Sequence, residues 1–68
     1  MVVKHKLKEI RMKEYMMNQR EFAEKILGMD YRKYNHYENG ITPSAESILY
    51  IAKKLNRPVE KIFYLEED

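Results

Sequence analysis

Two histidines, eleven carboxylates, six tyrosines and no cysteine are the reactive groups of this 68-residue chain. Acid–base, nucleophilic or metal chemistry requires such groups to converge, and their spacing does not bring them together. His5 stands in a charged stretch that reads as a frayed end, and His36 has neither a second His nor a carboxylate one helical turn away, so no metal pair or nucleophile–base pair is present. Glu9 with Lys13 and Glu21 with Lys25 have the i, i+4 spacing of surface ion pairs. Gly28 and Gly40 stand alone, without the Gly-rich loop that cradles a phosphate. Neither an enzyme nor a resident cofactor or metal is expected.

The chemistry that remains is recognition. Taken as a helix at about 100° per residue, residues 30–38 place Tyr34 and Tyr37 near −60° and −120° from Tyr31. Asn35, Arg32 and His36 fall on the other side, at about +40°, +100° and +140°. The aromatic side is expected to pack inward. The polar side can read base edges: Arg offers two N–H groups to guanine O6 and N7, His donates to N7, and Asn pairs with adenine. Tyr31 borders that side and suits a thymine methyl or a phosphate. Lys33, Gln19, Arg20 and the Asn39 backbone suit phosphates. An ordinary solvated face stays open as the alternative for Arg32, Lys33 and His36.

The elements that must hold these residues are punctuated by Gly28, Gly40, Pro43 and Pro58. A first helix over 6–15 brings Leu7, Ile10, Arg11 and Glu14 to one face. The second, over 19–27, starts after Asn18, with Glu21 three residues on as in a capping box, and stops at Gly28. Asp30 caps the third, 30–38, which ends at Glu38-Asn39-Gly40. Thr42-Pro43-Ser44 opens the fourth, 43–55, whose Ile48, Leu49, Ile51, Ala52 and Leu55 form the broadest apolar stripe. Asn56 and Pro58 close it, and Val59, Ile62 and Phe63 indicate a fifth short helix over 58–63. With no alternating pattern evident, the expectation is one all-α domain over 1–68, a compact bundle of five helices.

Two short helices around a Gly-containing turn, with a second Gly after Glu-Asn, are laid out as a helix-turn-helix, whose second helix enters the major groove. The runs Asn18–Gly28, Tyr37-Glu38-Asn39-Gly40, Pro43-Ser44 and Ile48–Leu55 together resemble the phage-repressor and Cro-like (XRE) family of DNA-binding regulators, from about Leu7 to Phe63. The resemblance implies a lambda-repressor-like fold, a backbone-contacting Gln at Gln19, an inward Arg paired with the turn's Glu at Arg11 and Glu38, and base contacts at Tyr31, Arg32 and His36. Against the family's common pattern this chain holds one residue more between Ala23 and Gly28 and one fewer between Gly40 and Pro43. Its first helix also stands one residue farther from Gln19.

Composition agrees with that class. Residues 1–33 carry net charge +4 and residues 34–68 carry −2, and a basic first half suits an anionic partner such as nucleic acid. Without cysteine the chain has no disulfide or thiolate staple, and it holds no apolar run of the roughly 20 residues that would span a bilayer. A cytoplasmic protein is expected. Its expected function is that of a sequence-specific double-stranded DNA-binding regulator, a repressor occupying an operator. The alternative is a protein–protein module of the same fold, of antitoxin or anti-repressor type. Since one helix reads only about four base pairs, a dimer is expected. Val59, Ile62, Phe63, Tyr64 and Leu65 either form a weak symmetric homodimer contact or close the core under the first helix.

Overall fold

A computed structural model describes residues 2–67. Four helices are framed by two short strands: β1, Val2–His5, leads into α1, and β2, Phe63–Glu66, follows a 3₁₀ turn at Val59–Lys61. α1 is α-helical over Leu7–Ile10 and continues as a wider π-type turn over Arg11–Tyr15; α2 likewise runs Gln19–Glu21 and then Phe22–Leu27. α3 is Tyr31–Glu38 and α4 is Ala45–Leu55.

The sheet corrects the all-α expectation. The fifth helix expected over 58–63 is reduced to the 3₁₀ turn at Val59–Lys61, and β2 then pairs antiparallel with β1, in the register Val2↔Glu66, Val3↔Leu65, Lys4↔Tyr64 and His5↔Phe63. β-Branched and aromatic residues favour extended backbone here, and Pro58 ends helical propagation. His5 is therefore not frayed: one ring nitrogen lies 2.8 Å from the Tyr37 carbonyl oxygen, and Nδ1 accepts from the Leu7 N–H at 3.3 Å. Ile62 and Phe63 are buried in the core, which removes them from the dimer surface expected from sequence; Tyr64 and Leu65 remain exposed and Val59 is half-buried.

Both extra residues lie where the helices widen. The Arg11 carbonyl accepts from the Met16 N–H, five residues on, and the Ala23 carbonyl accepts from the Gly28 N–H in the same way. Such i→i+5 closure takes up one residue more than an α-turn without breaking the helix. The wider turn also rotates Glu14 off the inner face. Leu7, Ile10 and Arg11 are buried, whereas Glu14 is exposed and holds Arg57 in a two-point ion pair.

Side-chain caps start the other helices. Asn18 Oδ1 accepts from the Glu21 N–H at 2.8 Å, although the Glu21 carboxylate lies toward Lys25 instead of closing a capping box. Asp30 Oδ1 accepts from the Arg32 N–H, and Ser44 Oγ from the Ser47 N–H. Ser44 caps α4, so the helix opens at Ala45 and Pro43 is a buried residue ahead of the cap. Leu49 turns out of the expected stripe and is 63% exposed. The core centres on Phe22, whose ring lies 5.2 Å from that of Tyr15 and 5.5 Å from that of Tyr34, with Leu7, Leu27, Ile51 and Ile62 fully buried around it.

Candidate nucleic-acid interface

The aromatic side of α3 is sealed: Tyr34 is wholly buried, and Tyr37 is nearly so, donating from its hydroxyl to Ser47 Oγ at 3.1 Å. Burial of those rings against α2 and α4 leaves Arg32, His36 and Asn39 exposed on the opposite side, with Asn35 half-buried between them. These four are spaced i, i+3, i+4, i+7 and form one stripe.

Beneath that stripe runs a continuous polar chain. The Arg11 guanidinium, in a side chain only 11% exposed, donates from Nε to Glu38 Oε2 at 2.9 Å, from Nη2 to Oε1 at 3.2 Å, and from Nη1 to the Met17 carbonyl at 2.9 Å. Gln19 Nε2 donates to Glu38 Oε1 at 2.9 Å, Asn35 Nδ2 to Gln19 Oε1 at 2.7 Å, and Asn39 Nδ2 to Asn35 Oδ1 at 3.1 Å. Charge-assisted, two-point contact of this kind fixes the angle between α1 and α3. Burial by itself would raise the Glu38 carboxyl, but the bonds from Arg11 and Gln19, with the Tyr34 hydroxyl nearby, outweigh it and hold the group below the ordinary carboxylate range. Burial, followed by the nearby Glu38 charge, pushes the Tyr34 phenol far up. That hydroxyl makes no hydrogen bond of its own.

A second unit lies at the start of α2 and α3, where the Arg20 guanidinium stands over the Tyr31 ring, 5.2 Å from its centroid. Arg20 also lies 3.9 Å from Glu24, and with Arg11, Asn18, Gln19 and Tyr31 it lines an open cleft of about 490 Å³. Lys33 is exposed but turned from the stripe, bordering a different cleft with Asp30, Ser44, Ser47 and Tyr50.

Of the residues singled out from sequence, the fold thus gathers Gln19, Asn35 and Asn39 with the Arg11–Glu38 pair, and Arg20 with Tyr31. Arg32 and His36 stand free beside them, and Lys33 stands apart. Asn18 and Ser44 border these clefts without having been picked out for binding; their only signal was capping preference. No group of three or more His, Cys, Asp or Glu residues suited to a metal occurs among the described residues.

Two short helices joined through a left-handed Gly28, the second presenting an exposed polar stripe with Arg32 across from a buried aromatic one, define a helix-turn-helix DNA-binding domain. The helix-turn-helix family model matches residues 7–62, and the chain belongs to that family, as one of its XRE-type, Cro/repressor-like members. It is a DNA-binding regulatory family. Comparison with curated proteins and with solved structures gave no match. No helix among the described residues is long and apolar enough to cross a membrane.

Proposed function

We propose that this protein is a sequence-specific repressor that occupies a double-stranded operator, with α3 lying in the major groove. The observation that carries the reading is the exposed pair Arg32 and His36 on a helix whose opposite side is sealed by Tyr34 and Tyr37. Packing has no use for those two side chains, and a guanidinium can bind guanine O6 and N7 together. Asn35 and Tyr31 complete the base-reading set. Gln19 retains one amide N–H and Arg20 its guanidinium edge for phosphates, with Lys33 and the Asn39 backbone at the borders.

A single stripe specifies too few bases for selectivity, so two copies act together on half-sites about one helical turn apart. The dimer contact assigned here is the β2 side of the sheet. Tyr64 is 43% exposed and Leu65 62%, and among the described residues β2 is paired only on its β1 side, leaving its other edge unpaired.

Binding to a random duplex at rising salt tests the DNA reading: affinity is expected to fall with a log–log slope of about −0.9 per phosphate neutralised. Arg32→Ala is expected to cost about 1–3 kcal/mol on the selected site and to relax one base position, whereas Lys33→Ala weakens all sequences alike. Negligible binding to any duplex would favour a protein-docking module. Equal losses on selected and random DNA for Arg32→Ala would remove the base-reading role.

A further inference from the structure

We propose that Glu38, buried out of reach of DNA, sets the hydrogen-bond polarity of the recognition stripe and is thereby a specificity-determining positioning residue. The inference rests on the DNA reading above and deepens it. An ionised carboxylate only accepts hydrogen bonds, whereas a side-chain amide donates at one end, accepts at the other and is nearly the same shape when flipped. Glu38 Oε1, 2.9 Å from Gln19 Nε2, therefore decides which way the Gln19 amide lies. The Gln19 oxygen is left facing Asn35, which must turn its NH₂ group to it at 2.7 Å, and the Asn35 oxygen in turn takes the Asn39 NH₂ group at 3.1 Å. All three amides donate toward Glu38. The side chain that starts this order is 4% exposed, and the residue that ends it is on the surface.

The consequence falls on Asn35. After these bonds it keeps one N–H and one lone pair, with the donor on the α2 side and the acceptor on the Asn39 side. The adenine edge presents its N7 acceptor and N6 donor in a fixed order, so only one amide orientation matches it in a given docking pose. Glu38 decides which orientation that is.

Three variants test this. Glu38→Gln places a group that can both donate and accept at the head of the chain, which frees the amides to run either way. Asn39→Asp places an acceptor-only group at the far end, opposing Glu38, and being on the surface it folds even where Glu38→Gln is destabilised. The double variant E38Q/N39D permits only the reversed order.

In the free proteins, nuclear Overhauser contacts of the Asn35 side-chain amide protons report the direction. They should point to Gln19 in the wild type and to residue 39 in the double variant. On duplexes varied at the base facing Asn35, the wild type should prefer one base by about tenfold. Each single variant should flatten that preference to within about twofold, and the double variant should restore a preference of similar size for a different base. A folded Glu38→Gln protein that keeps the wild-type preference, or a double variant that merely combines the losses of the two singles, would overturn the proposal. Wild-type protein that binds no duplex would overturn the DNA reading and the specificity role together, while the amide contacts in the free protein would still decide the polarity.

Discussion

Replacing Arg11 by Met removes a cation but keeps most of the side chain's apolar bulk. Three hydrogen bonds are lost, two of them to a carboxylate whose side chain is 4% exposed, leaving Gln19 Nε2 as its remaining hydrogen-bond donor. Stranding a buried charge in this way costs about 3–5 kcal/mol. A domain of this length has about 3–10 kcal/mol in total, so Arg11→Met is expected to be largely unfolded at neutral pH. Its pH dependence should be inverted as well. In the wild type the folded value of Glu38 lies below the ordinary 4.5, so the stability it supplies is complete above 4.5 and is lost as the pH falls through the folded value. Without Arg11, burial, the largest single influence on the group, is opposed only by Gln19 and the nearby Tyr34 hydroxyl and raises it, so the variant gains stability as the pH falls through that raised value. Urea unfolding followed by circular dichroism at neutral pH and at about pH 4 measures both effects relative to the wild type. Adding Glu38→Leu should recover most of the loss, because an apolar pair of similar volume leaves no unpaired charge. A loss under about 1 kcal/mol for Arg11→Met, or a pH slope parallel to the wild type's, would refute the reasoning.

Other perturbations have equally definite signs. Tyr34→Phe removes a fully buried hydroxyl with no partner and should be neutral or stabilising by up to about 1 kcal/mol in chemical denaturation, whereas a clear loss would mean that the hydroxyl bonds the Arg11–Glu38 pair. Met16 has φ 51° and is 84% exposed, so Met16→Gly relieves about 1–2 kcal/mol of left-handed strain. Against this stands glycine's loss of about 0.5–1 kcal/mol in freedom, so a small rise in melting temperature is expected. Gly28→Ala should do the reverse, costing about 1–2 kcal/mol, since φ is +64° and the new Cβ would stand 3.2 Å from the Tyr50 hydroxyl, which donates to the Gly28 carbonyl. A fall in melting temperature for Met16→Gly, or none for Gly28→Ala, would contradict these assignments.

Elements driven by local periodicity and caps could be seen in the sequence. Asn18 and Asp30 each accept the backbone N–H that a cap should, the fourth helix is capped by Ser44 instead of opening at Pro43, and the projection of α3 separated the buried Tyr34 and Tyr37 from the exposed Arg32 and His36. The strands could not be seen, because Val2–His5 and Phe63–Glu66 are four residues each and are held by pairing with one another across nearly the whole chain. A partner that remote leaves no periodic mark. For the same reason the C-terminal apolar cluster read as one surface, when the turn before β2 and the first residue of the strand send Ile62 and Phe63 inward and the rest of the strand leaves Tyr64 and Leu65 outside. Within the site, Arg11 and Glu38 came from the family resemblance, and residue types alone marked Asn35 as a free reader. Its bonds to Gln19 and Asn39 depend on how α2 lies across α3, which no local pattern encodes.

Where the extra residues sit explains why they leave this site intact. An insertion in an α-helix shifts everything beyond it by about 100° unless the helix absorbs it locally. In α1 the widened turn begins at Arg11, so Leu7, Ile10 and Arg11 keep their common inner face, and the displaced residue is Glu14, which the surface accommodates through Arg57. In α2 the widened turn begins at Phe22, after Gln19 and Arg20 have been set by the Asn18 cap, and it is closed by the left-handed Gly28, so α3 follows its Asp30 cap with Tyr34 against Phe22. Both added residues thus lie past the groups that touch Glu38 on their own helix. Arg11 and Gln19 therefore still meet around one carboxylate, with the widened turns beyond them.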